Sequence, residues 1–96
     1  MTAALYVNLT RKNAHKVAVD VINELHKLEI GIVMPDEFRE TFEAFSVSFV
    51  PSSDFIKQSD LLISIGGDGT IIAAAKRCAH YENILFGINT GNLGYL

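Results

Sequence analysis

A chain of 96 residues, 49% hydrophobic and 20% charged, has the make-up of one globular domain or a piece of one, with a core large enough to fold but little margin. A formal charge of −3 without a basic block gives no electrostatic reason to expect nucleic acid, and no apolar run approaches the roughly 20 residues of a membrane span. Met1-Thr2-Ala3-Ala4 lacks the order of a signal peptide, and Cys78 is alone, so no disulfide framework or thiolate cluster forms within one chain; a reducing cytoplasm fits both.

Ala4-Leu5-Tyr6-Val7-Asn8 reads as a short first strand, followed by the polar connection Thr10 to Asn13, with Asn13 placed to cap a helix. From Ala14 to Leu28 the apolar residues Ala14, Val17, Ala18, Val21, Leu25 and Leu28 recur at three- and four-residue steps. Lys16, Asp20, Glu24 and Lys27 fall off that stripe, which predicts an amphipathic helix packed by one face. Ile30 to Met34 is a second strand, stopped by Pro35.

Asp36 to Phe45 is acidic and helix-compatible. Its phenylalanines Phe38, Phe42 and Phe45 lie three or four apart, the spacing of a core stripe. Val47 to Val50 is a short strand or an extended link, Pro51-Ser52-Ser53 a turn, and Ser53 a cap for one helical turn through Lys57. Leu61 to Ile65 is nearly continuous in apolar residues, as expected of a strand with helices on both sheet faces. A helix rich in alanine then runs from about Gly69 to His80, and Asn83 to Asn89 forms another strand. On the helix Cys78 reads as a small apolar residue, and His15, His26 and His80 share no metal-ligand spacing. Strands alternating with helices predict a parallel α/β sheet, Rossmann-like, with ligands at the carboxyl ends of the strands.

Two loops fall at such ends. At Gly66-Gly67-Asp68-Gly69-Thr70 three glycines surround one carboxylate between a strand and a helix. The partial positive charge of the helix N-terminus favours phosphate there. Glycine suits the corner in two ways: it takes positive φ, and it lacks the Cβ that would obstruct a ligand on the backbone. Asp68 alone would serve as a helix cap, but three glycines and an acid exceed what a cap needs. The second loop, Asn89-Thr90-Gly91-Asn92, lies on the same edge. The P-loop pattern has no match. The dinucleotide fingerprint fits only its first half, at Gly67 and Gly69, and no acid ends a strand about 20 residues later.

Gly66 to Thr70 resembles the GGDGT signature shared by NAD kinases, diacylglycerol-type lipid kinases and, more loosely, phosphofructokinases. The ending Gly87-Ile88-Asn89-Thr90-Gly91-Asn92-Leu93-Gly94-Tyr95-Leu96 resembles the signature specific to NAD kinases, and Ile71 to Lys76 is similar to that family's continuation after GGDGT. Lipid kinases more typically show Asn-Glu soon after the motif, where this chain has isoleucine and alanine. Tyr95 stands where the family more often has Phe. The resemblance takes residues 1–96 as an N-terminal domain, and implies that a β-rich C-terminal domain carrying most of the NAD-binding surface is missing.

What the resemblance implies is transfer of a phosphoryl group from ATP, or polyphosphate in some members, to the 2′-hydroxyl of the NAD adenosine ribose, with Mg²⁺ or another divalent cation. Asp68 would be the general base, acting more by position than by basicity. Gly66, Gly67, Gly69 and Thr70 would hold phosphates, and Asn89, Gly91, Asn92, Gly94 and Tyr95 would contact or shape the nucleotide site. A homo-oligomer is implied for the full-length protein, with no nucleic acid or membrane as partner. The same residues leave open a lipid-kinase-like catalytic domain and a non-catalytic nucleotide-binding module.

Overall fold

A computed structural model describes residues 1–78, 81 and 83–90. The elements are β1 (Thr2–Val7), α1 (Ala14–Lys27), β2 (Gly31–Pro35), a 3₁₀ turn (Asp36–Phe38) leading into α2 (Arg39–Phe42), β3 (Ser48–Val50), β4 (Leu61–Gly66), α3 (Asp68–Cys78) and β5 (Ile84–Asn89). The five strands form one parallel sheet in the order β3-β2-β1-β4-β5. This is the expected α/β architecture. The segment left open between strand and link is an edge strand, in register with β2 from Val33↔Ser48 to Pro35↔Val50.

Alternation along β1 sorts the core into two layers. Ala3, Leu5 and Val7 face α1, where Ala14, Ala18, Ile22 and Leu25 are buried together with Phe38 and Phe42. Ala4 faces the other side and packs with Leu62, Ala74, Cys78, Phe55 and Ile56. Every residue of β4 is buried, which accounts for its unbroken apolar run: both of its faces are covered. Each large side chain taken from water contributes about 1.5–3 kcal/mol. The chain leaves β1 towards β2 and β3, then crosses to the opposite side for β4 and β5. The gap between the carboxyl ends of β1 and β4 is therefore the topological switch point.

Several local expectations are corrected. Asn13 occupies the N-cap position of α1, but at φ 67° it makes no side-chain cap hydrogen bond. The helix expected over residues 36–45 is a 3₁₀ turn plus a four-residue α2 that ends at Phe42. Phe38 and Phe42 must both reach the sheet, and the chain must then turn back to β3, as the Phe45 N–H to Phe42 carbonyl bond of 3.0 Å shows. Ser53 caps no helical turn; residues 52–58 are successive turns that press Phe55 and Ile56 into the second core layer.

The end of α1 carries a testable local strain. Ile30 N–H donates to the Leu25 carbonyl and Glu29 N–H to that of His26, both at 3.0 Å, the pattern of a Schellman cap. The residue required in the left-handed region is Glu29, at φ 59°, where a side chain is unfavourable. Its carboxylate is exposed and engages no other described residue. Glu29→Gly is expected to stabilise the fold by about 1 kcal/mol, a rise in Tm of roughly 4–8 °C by thermal unfolding. An unchanged or lowered Tm would contradict the strain.

Candidate functional site

Only Gly67 separates the end of β4 from the start of α3, so the turn is as short as a strand-to-helix corner allows. Gly66 has no room for a side chain: a Cβ there would stand 2.5 Å from Thr70 Oγ1 and 3.0 Å from Asn8 Cβ. At Gly67 a Cβ would meet the Arg11 guanidinium at 3.0–3.1 Å, whereas at Gly69 it would meet nothing within 4 Å. None of the described glycines has positive φ, so one of the two expected reasons for glycine is not used. Close approach is the reason at Gly66 and Gly67. At Gly69 the missing side chain leaves open space above the helix start.

The Gly67 carbonyl accepts from the amides of Thr70 (3.0 Å) and Ile71 (3.2 Å), which makes Gly67 the cap position and Asp68 the first helical residue. The Asp68 carboxylate makes no cap bond to its own helix. Its Oδ1 accepts from Asn89 Nδ2 at 2.7 Å, across the corner. Parallel pairing of β4 with β5 brings this about, since Gly66 and Asn89 are register partners. The Thr90 amide extends the ladder by donating to the Gly66 carbonyl at 2.8 Å, and its hydroxyl is buried without a hydrogen-bond partner among the described residues. The Thr70 hydroxyl is turned inward, accepting from Asn8 Nδ2 at 3.2 Å, and so ties α3 to the end of β1.

Beside this corner, at the switch point, opens a cleft of about 330 Å³. Its floor is the end of β1, from Tyr6 to Leu9. One wall is the first part of α3, and the other is Glu37 and Phe38 from the turn after β2. The Tyr6 ring is held by an edge contact with Phe38 (5.8 Å between centroids) and by the Arg77 guanidinium 5.1 Å above it.

Of the residues expected at the site, Gly66, Gly67, Asp68, Gly69, Thr70 and Asn89 meet at one edge of the sheet. Gly91, Asn92, Gly94 and Tyr95 lie outside the described residues. Sequence reasoning missed Arg11 and Glu37. Neither belongs to a motif; a basic residue just after the first strand and an acid just after the second were the available signals. His15 stacks on Phe42 at 5.3 Å and His26 hydrogen-bonds the Ser46 carbonyl at 3.0 Å, both exposed and remote from the corner. Cys78 is packed in the second core layer, where burial pushes its thiol pKa up and keeps it protonated. Among the described residues, no helix is long and apolar enough to cross a membrane.

Fold and corner together define a parallel α/β domain whose polar residues gather where such sheets bind ligands. The family model described as ATP-NAD kinase N-terminal domain matches residues 4–96, and the chain belongs to the NAD kinase family. It is 33% identical over 75 residues to an NAD kinase of Campylobacter jejuni subsp. jejuni, covering 78% of this chain and 24% of that protein. Over 76 residues it is 34% identical to an NAD kinase of Saccharophagus degradans, with 79% of this chain and 26% of the relative covered. A shorter stretch of 45 residues is 44% identical to an NAD kinase of Thermoanaerobacter sp., 47% of this chain and 16% of the relative. The matched segments thus span between 16% and 26% of these relatives' length.

Proposed function

We propose that this chain supplies the catalytic corner of an NAD kinase, which transfers the terminal phosphoryl group of ATP to the 2′-hydroxyl of the NAD adenosine ribose to give NADP. The observation that carries the reading is the 2.7 Å bond from Asn89 to Asp68, which joins the two signature motifs in one geometry. The hydroxyl oxygen attacks the terminal phosphorus, the bond to the bridging oxygen breaks, and the hydroxyl proton passes to Asp68. Asn89 occupies one carboxylate oxygen and leaves the other to take that proton. Gly69 leaves the start of α3 open to phosphate, aided by the helix dipole.

Among the described residues no three of His, Cys, Asp and Glu gather into a cation cage. A divalent cation arriving with the phosphoryl donor would find Asp68 as the carboxylate of the glycine corner. It would supply neutralisation of phosphate charge. The remainder of the acceptor site belongs to the longer polypeptide, and the 96-residue chain alone is inactive on this reading. The test is NADP formation from ATP and NAD by the full-length polypeptide and by the isolated chain. Turnover by the first and none by the second is expected. Absence of turnover by the full-length polypeptide, or phosphorylation of a diacylglycerol in its place, would overturn the assignment.

A further inference from the structure

Resting on the reading of Asp68 as the proton acceptor, we infer that Asn8, which belongs to neither signature motif, is a positioning residue for the phosphoryl transfer. Its side chain ties the loop after β1 to the first turn of α3, and through Thr70 it holds Asp68 in place against Asn89.

Asn8 is the first residue beyond β1, and its own backbone is fixed. Its N–H donates to the Ile65 carbonyl of β4 at 2.8 Å, just past the Val7↔Ile65 pair, and its carbonyl accepts from the Arg11 amide at 3.1 Å. The side chain reaches in two directions. Oδ1 accepts from the Thr10 amide at 3.1 Å and from the Thr10 hydroxyl at 2.6 Å, while Nδ2 donates to Thr70 Oγ1 at 3.2 Å. A backbone amide can only donate, so the atom facing Thr10 is the oxygen and the nitrogen is left for Thr70. The loop that Oδ1 holds also lays the Arg11 guanidinium against Gly67, so both ends of the Asn8 amide brace the corner.

Thr70 is a firm point of attachment. It is 7% exposed, and its amide and that of Ile71 both donate to the Gly67 carbonyl, so it shares one closed turn with Asp68 and Gly69. On the other side of that turn Asp68 Oδ1 accepts from Asn89 at 2.7 Å. In the sheet β4 lies between β1 and β5. The start of α3 is therefore held from both flanking strands, by Asn8 at the end of β1 and by Asn89 at the end of β5. What joins the turn to β4 is Gly66-Gly67, two adjacent residues of the most permissive backbone type. Without the Asn8 bond the turn can swivel on those glycines, carrying Asp68 out of line with the acceptor hydroxyl.

The experiment is steady-state kinetics of the full-length polypeptide carrying Asn8→Ala, Asn8→Ser, Thr70→Val, Asn8→Ala with Thr70→Val, and Asp68→Asn, with inorganic triphosphate as a competitor of ATP. Rates are compared well below the Tm of each variant, so that loss of folded enzyme does not enter. Asn8→Ser retains a hydroxyl that can accept from the Thr10 amide but is too short to span to Thr70, so it keeps the loop and removes the tie. Both Asn8 variants are expected to lower kcat about ten- to a hundredfold, the effect of displacing a reacting group by up to about 1 Å. KM for ATP and NAD, and the inhibition constant of triphosphate, should stay within about threefold of the parent, since no substrate contact is lost. Because Asn8 acts through Thr70, the double variant should have a kcat within about threefold of Thr70→Val alone. Three results would overturn the role of Asn8 while leaving the corner intact: a kcat for Asn8→Ser within about threefold of the parent, a rise in KM as large as the fall in kcat, or losses that multiply in the double variant. Parental turnover by Asp68→Asn would overturn the reading of the corner, and the positioning role with it.

Discussion

Asp68→Asn in the full-length enzyme is expected to lower kcat at least about a hundredfold, the loss typical of removing a positioned proton acceptor. The substitution preserves shape, and the new side-chain carbonyl can still accept from Asn89, so the corner keeps its cross-strand bond. What changes is the other side-chain position, where a proton-accepting oxygen becomes an NH₂ group. KM for NAD and ATP should therefore move far less than kcat. Asp68 is exposed and starts α3, so the fold loses only a helix-dipole interaction, about 0.3–1 kcal/mol. Steady-state kinetics with thermal unfolding of the same variant separates the effects. A kcat within about threefold of the parent would remove Asp68 from the base role, because general-base losses run to about 10²–10⁴.

The elements visible in the sequence were those whose pattern is set by which faces are covered. The β4 run is continuous because α3 and α1 cover both sides, and the α1 stripe is clean because one face alone is packed. The elements that were not visible are decided by the path of the chain. Phe38, Phe42 and Phe45 have helical spacing, yet α2 stops after four residues because the backbone must return to the edge strand β3. Asn13 and Glu29 adopt left-handed backbone as non-glycine residues, which local propensity disfavours and the turns into and out of α1 impose.

The candidate site divides in the same way. Gly66 to Thr70 and Asn89 were legible because each sits where an apolar strand stops. That they touch depends on β4 and β5 being neighbours with Gly66 opposite Asn89, a matter of strand order rather than of spacing. Arg11 and Glu37 come from loops before and after α1 and β2, and no local pattern marks them. Glu37 borders the cleft because the sheet changes direction between β1 and β4, so that β1 presents its end between β2 on one side and α3 on the other, while Arg11 lies over Gly67 at the corner.

Gly66→Ala and Gly69→Ala should separate the two uses of glycine at this corner. A Cβ at Gly66 would overlap Thr70 Oγ1 at 2.5 Å and Thr70 Cβ at 2.9 Å, with Asn8 Cβ at 3.0 Å on the other side. These atoms are held, not loose: Thr70 is buried in the first turn of α3, and Asn8 donates to its hydroxyl. Overpacking of this kind costs about 1–3 kcal/mol, which lowers Tm by roughly 4–8 °C for each of those kilocalories in a domain of this size. Relief requires α3 to move away from β1, and Asp68 moves with it. Displacement of a reacting group by about 1 Å can cost about a hundredfold in rate, so the full-length Gly66→Ala enzyme should lose activity well beyond its loss of folded protein. Gly69→Ala meets nothing within 4 Å and replaces a poor helix former with the best one, so its Tm should hold or rise by an amount reflecting up to about 1 kcal/mol. Its added methyl instead stands over the open start of α3 and should weaken triphosphate binding. Equal Tm values for the two variants would show that the corner yields at Gly66 and that its geometry is not set by the Asn8–Thr70 contact.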